Sequence, residues 1–213
     1  MLIKKPFKKG FGFNAAPYYK AAGGGGGGAT TFNPSDKSAN LTLDATNLIA
    51  TATGNSVGVR SIASVVTNQK VYMEYVPTVN AFDQQYGFAL ATHGFGNIVG
   101  GDEGGAKFFG VKSGGTFGSF GSVDDGAAMP AYATGDRVGI AYDDGAKLFW
   151  SRTNGGAWSN SGDPAAGTGG RVVSVTGTLF ACIYIGFSTE ITTANFSSAT
   201  WVDTPPSGFT QLA

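Results

Sequence analysis

Along residues 135–158, GDRVGIAYDDGAKLFWSRTNGGAW, apolar and polar positions alternate with a period of two. Val138, Ile140 and Tyr142 alternate with Arg137, Gly139 and Ala141, the pattern of a strand with two unequal faces. Asp143-Asp144-Gly145 predicts a short acidic turn closing on a glycine free to take positive φ, and Leu148 and Trp150 resume the alternation on a return strand. Asn154-Gly155-Gly156 predicts a second tight turn, after which Trp158 starts or caps a third segment. The stretch reads as a β-meander.

Similar short runs cover the chain from Ala29 onward. Thr31-Phe32 leads to a predicted turn at Asn33-Pro34-Ser35-Asp36, Leu41 and Leu43 alternate with Thr42, and Leu48 to Thr53 forms a strand closed by Gly54-Asn55. Val57 to Arg60 and Ile62 to Val66 read as edge or corner pieces. In Lys70 to Pro77, Val71, Met73 and Tyr75 share one face and Tyr72, Glu74 and Val76 the other. Gly87 to Ala91 puts Phe88 and Leu90 on one face. The signal weakens from Thr92 to Met129, where Phe108 to Val111 and Phe117 to Phe120 stand as glycine-flanked strands. Arg171 to Val175 follows, then Leu179 to Phe187, apolar on both faces as expected at the centre of a sandwich. Phe196, Trp201 and the tail Pro205 to Phe209 close the domain. No amphipathic helix is predicted.

Composition agrees with an all-β reading, since 35 of the 213 residues are glycine and helix-favouring Glu and Lys are scarce. The formal net charge is zero, which disfavours bulk attraction to nucleic acid or an anionic membrane. Distribution is more informative than the total. Lys4, Lys5, Lys8, Lys9 and Lys20 give the head five positive charges and no acid, leaving nine basic against fourteen acidic residues in the body. In residues 1–22 these lysines interleave with Phe7, Phe11, Phe13, Tyr18 and Tyr19 without sustained periodicity. The segment reads as an arm that either is disordered or docks its rings into a partner, with protein preferred to nucleic acid. No secretory signal is expected in it, because Gly12, Asn14, Pro17 and Lys20 interrupt any apolar core. Residues 23–29, which hold the glycine run Gly23 to Gly28, read as a linker rather than a phosphate loop, since no Lys-Ser or Lys-Thr pair follows. No stretch approaches the ~20 apolar residues of a membrane span, so no membrane insertion is expected.

Several motifs in residues 30–213 resemble, in order and spacing, those of the SPRY family. Gly135-Asp136-Arg137-Val138-Gly139-Ile140-Ala141-Tyr142-Asp143 resembles its G-D-x-(I/V)-G-(V/I)-x-x-D strand, and Leu148-Phe149-Trp150 followed by Asn154-Gly155 resembles its L-x-F-x-x-N-G hairpin. Thr193-Ala194-Asn195-Phe196 and Pro206-Ser207-Gly208-Phe209 are similar to its closing x-x-N-F-G and P-x-G-F signals, with Ser197 in place of the usual glycine and Ser151-Arg152-Thr153 adding length before the turn. The resemblance implies a concanavalin A-like, two-sheet antiparallel sandwich that acts as a binding platform, here preceded by an extended N-terminal arm. A further likeness, to bacteriophage virion proteins that carry a glycine run before such a domain, implies a fibre, tail or capsid decoration component present in many symmetric copies. In that reading the arm docks on other virion proteins, and the domain meets a host-surface glycan or receptor.

Chemistry is sparse. Glu74, Glu103 and Glu190 are the only glutamates, and none falls in a strand that would pair carboxylates across a sugar cleft, so no enzyme, cofactor or metal is expected. Glu74 reads as a strand-face hydrogen-bonding group. Asp102-Glu103, Asp124-Asp125 and Asp143-Asp144 read as turn chemistry in preference to calcium ligation. Cys182, the single cysteine, reads as core. His93, the single histidine, lies in a loop beside Phe95 and reads as a surface residue or a ligand contact. Candidate ligand-binding positions are Asp83, Tyr86, His93, Phe95, Asp102 and Glu103, in the loops 80–86, 92–107 and 113–133. Trp150 and Trp201 read as core.

Overall fold

The computed structural model describes residues 28–79, 82–95, 108–120 and 128–213. The predicted arm and nearly all of the glycine linker lie outside these residues, as do Asp102, Glu103, Asp124 and Asp125. Among the described residues, thirteen strands form two antiparallel sheets. One has six strands in the order β1 (Phe32–Lys37), β4 (Val57–Ser64), β12 (Leu179–Ile185), β6 (Gln84–Leu90), β7 (Phe108–Lys112), β8 (Phe117–Phe120). The other has seven in the order β11 (Arg171–Val172), β10 (Leu148–Thr153), β9 (Val138–Asp143), β5 (Lys70–Val79), β13 (Ile191–Asn195), β3 (Ile49–Ala52), β2 (Leu41–Leu43).

The predicted alternation sets the core. Val71, Met73 and Tyr75 of β5 and Val138, Ile140 and Tyr142 of β9 face Tyr86 and Phe88 of β6, Phe109 and Val111 of β7 and Ala181, Ile183 and Ile185 of β12, all fully buried. Each large side chain so buried contributes about 1.5–3 kcal/mol. Both sheets are also covered on their outer faces. Tyr72, Ala141 and Trp150 lie under Phe209, Trp158 and Trp201, and Ala89, Phe108 and Cys182 lie under Phe95. β12 is therefore buried on both sides, as its doubly apolar pattern predicts.

Several local expectations are corrected. Asn33 to Asp36 is part of edge strand β1, where Pro34 needs no ladder donor and the register against β4 shifts. Residues 57–64 are one continuous strand, and β4 lies inside the sheet between β1 and β12. The β9–β10 hairpin forms, but its positive φ, 54°, falls on Lys147 and not on Gly145. Asp143 holds that turn by accepting hydrogen bonds from the Gly145 and Ala146 amides, and it pairs with Lys70. The second turn forms as predicted, with Asn154 and Gly155 both at positive φ.

The two ends of the sandwich differ. At one end Thr30 donates its amide to Leu212 and accepts a hydrogen bond from the Ala63 amide on its hydroxyl, so entry into and exit from the domain lie side by side. At the other end the Ser56 amide bonds Gly186, whose amide bonds Asp83. Val57 and Ala63 mark these ends on β4, and six residues of strand separate them by about 20 Å.

Candidate functional site

The end away from Thr30 and Leu212 carries the most exposed aromatic surface in the described residues. Phe82 is 75% exposed and Phe187 50% exposed. Phe82 lies on the β5–β6 connection and Phe187 on the turn from β12 to β13. One buried group ties them together. The carboxylate of Glu190, fully buried, accepts the Phe82 amide on Oε1 at 2.8 Å and the Phe187 amide on Oε2 at 3.2 Å, with the Asp83 amide at 3.4 Å. Burial raises the Glu190 carboxyl above its usual range, the three amides oppose this, and the Asp83 charge adds to the rise.

The turn is held on both flanks. Thr189 donates its amide to Ala52, Ala52 donates its own to Glu190, and the Ser188 amide reaches Asn55 Oδ1 at 2.8 Å. Thr189 sits at φ 73°, a costly conformation for a β-branched residue. Gly186 lets the two loops close: a Cβ there would stand 2.7 Å from that of Asp83.

Beneath the loops lies a rigid floor. Tyr75, Tyr86 and Tyr132 stack in sequence, with centroids 4.7 and 5.1 Å apart. The Tyr86 hydroxyl bonds Gln84 Oε1 and Thr192 Oγ1, the Tyr132 hydroxyl donates to the Gln84 carbonyl, and Ser113 Oγ donates to the Phe82 carbonyl. Phe82, Gln84 and Tyr86 of one loop region therefore meet Ser113 and Tyr132 of the other here.

The proposed positions divide accordingly. Asp83 belongs to this tip, half-buried. Tyr86 does not contact solvent: it lies fully buried on β6, because its position in the alternation points it between the sheets. His93 is also buried, not a surface group, since the chain after β6 folds back over the outer face of the six-stranded sheet. Its ring stacks on Phe108, and its carbonyl accepts from Arg60 at 2.6 Å. Phe95 is only part-exposed, lying 4.4 Å from the Arg60 guanidinium, which grips Asp36 with two nitrogens. These two residues serve packing there and do not join the tip.

Glu74 has the hydrogen-bonding role expected of it. Buried on the outer face of β5, it accepts from the Tyr72 hydroxyl, Asn195 Nδ2 and the Val202 and Asp203 amides, which fastens the closing segment to the sheet. Arg152 covers this network, lying 4.4 Å from the Trp158 ring and donating to the Tyr72 hydroxyl. Trp150 is core, and Trp201 packs edge-on against Tyr72. Cys182 is fully buried, and desolvation pushes its thiol up to about 12. Among the described residues no group of three or more His, Cys, Asp or Glu side chains could hold a metal ion, and no helix is long and apolar enough to cross a membrane.

Comparison with known proteins places this arrangement in the SPRY fold. The SPRY domain of human HERC1 superposes with a TM-score of 0.61 at 12% identity, covering 77% of this chain and 96% of its own. The TRIM65 PSpry domain gives 0.54 at 10% identity, covering 78% and 91%. No sequence-family profile and no curated protein sequence matches the chain. At these identities the likeness establishes the fold.

Proposed function

We propose that the chain is a non-enzymatic bacteriophage virion structural protein, in which residues 1–22 dock to the particle and the SPRY-fold domain is displayed as a recognition module. The observation that carries this reading is the polarity of the sandwich. The chain enters and leaves at one end, and the exposed pair Phe82 and Phe187 stands about 20 Å away at the other. A domain tethered so presents its apolar tip outward. Exposed rings on a preorganised support are the usual anchors of a protein interface. Among the described residues, Glu74 is taken up by four donors and Glu190 by three amides.

Deleting residues 1–22 tests the assembly role. The truncated protein is expected to keep its β-rich circular dichroism and lose incorporation into particles. Truncated protein that still co-purifies with particles overturns the reading. A host-surface glycan or receptor remains the second occupant for the tip, with Asp83 and Asn55 as the polar groups beside the rings.

A further inference from the structure

We propose that the tip is the docking site for the basic aromatic arm of a second copy of this chain, so that copies join head to tail. The inference rests on the assembly reading above and narrows it: the arm's partner is the tip of another copy, and only the last copy of a run displays a free tip. Three observations converge on it.

The first is charge. The described ion pairs join Asp36 to Arg60, Asp143 to Lys70, Asp144 to Lys147 and Asp203 to Arg137. Asp83 and Glu190, like Asp44, Glu74, Asp136 and Asp163 elsewhere, have no such partner among the described residues; at the tip Asp83 is half-buried at the rim and Glu190 lies fully buried beneath it. Lys112, at the end of β7, sits opposite Gln85 in the ladder. The arm carries five lysines and no acid, so it supplies the sign the tip lacks.

The second is side-chain type. Residues 4–13, KKPFKKGFGF, set pairs of lysines beside phenylalanines. Such a segment can place rings against Phe82 and Phe187 and cations over their faces. Val79, at the end of β5, is also exposed.

The third is direction. The arm joins the domain at the end opposite the tip. A second copy stacked on the first in the same orientation brings the start of its domain, at Thr30, beside the first copy's tip. A contact between two different patches, repeated, generates rings or filaments and not a closed twofold dimer.

Sedimentation of the full-length chain tests this. Wild type is expected to associate as its concentration rises. The double variant Phe82→Ser/Phe187→Ser, at exposed positions that leave the core intact, and the arm variant Lys4→Glu/Lys5→Glu/Lys8→Glu/Lys9→Glu should each weaken association about tenfold or more. Mixing the two variants should restore a single contact, an intact arm on an intact tip, and give dimers that grow no further. A peptide of residues 1–22 should compete with wild-type association. A wild-type chain that stays monomeric, variants that associate as wild type does, or a mixture that gives no dimer overturns the proposal. If arm deletion abolishes incorporation while the tip variant is incorporated normally, the assembly role stands and the head-to-tail contact falls.

Discussion

Replacing Glu190 with glutamine separates the carboxylate's role from that of a generic polar side chain. Both carboxylate oxygens accept, Oε1 from Phe82 and Oε2 from Phe187. Glutamine offers one acceptor and one donor, so one loop amide must face another N–H. An unsatisfied buried amide costs about 1–3 kcal/mol. Part of that is offset because the buried charge is itself unfavourable, as the raised carboxyl shows, which puts the neutral-pH cost in the lower part of the range. In a domain of this size about 1 kcal/mol lowers Tm by roughly 2–4 °C.

The pH dependence has a definite sign. The native state holds the Glu190 proton more tightly than the unfolded chain does, so this group's contribution is fullest below its ordinary range and declines as pH rises through the native value. The glutamine variant lacks that contribution, so its deficit relative to wild type widens on acidification from neutrality. Urea unfolding followed by tryptophan fluorescence at several pH values measures it, and hydrogen exchange reads the Phe82 and Phe187 amides directly. A variant within about 0.5 kcal/mol of wild type at neutral pH, with both amides still protected, would refute the reasoning, as would a deficit that narrows on acidification.

Three further outcomes are expected. Glu74→Ala strands four donors on the outer face of β5 and should cost about 3–5 kcal/mol, seen as a lower urea midpoint with early exposure of Trp201. Thr189→Gly removes a β-branched side chain from φ 73° on an exposed turn and should stabilise by about 0.5–1 kcal/mol by the same assay, whereas Thr189→Val should not. Cys182, buried and with its thiol pushed up to about 12, should resist alkylation at pH 8 until the domain unfolds; rapid labelling of native protein would place it at the surface.

The fold was legible where alternation was strong. Val71, Met73, Tyr75, Val138, Ile140 and Tyr142 declare their inner face by period alone, and the motifs around Gly135 and Asn154 point to the sandwich. Asn33-Pro34-Ser35-Asp36 was misleading because turn residues are also acceptable on an edge strand. β13 gives no strand signal of its own, since Ile191-Thr192-Thr193-Ala194-Asn195 is short and polar and is a strand only through its neighbours β5 and β3. The site was less legible. Loop residues such as His93 read as exposed unless the chain is known to fold back over a sheet, and Glu190 reads as an ordinary turn acid. Only the pairing of two distant loops, Phe82 and Phe187, reveals its role. Phe82, in a loop named for its aspartate and tyrosine, could have been found as a bulky apolar residue in an otherwise polar connection.

The most direct measurement of the central claim is site-specific photocrosslinking from the assembled protein. A photoreactive phenylalanine analogue at position 82, on the tip, should capture a peptide from residues 1–22 of another copy, while the same group at position 172, equally exposed on edge strand β11, should capture none. Capture from position 172 with none from position 82 would contradict the account.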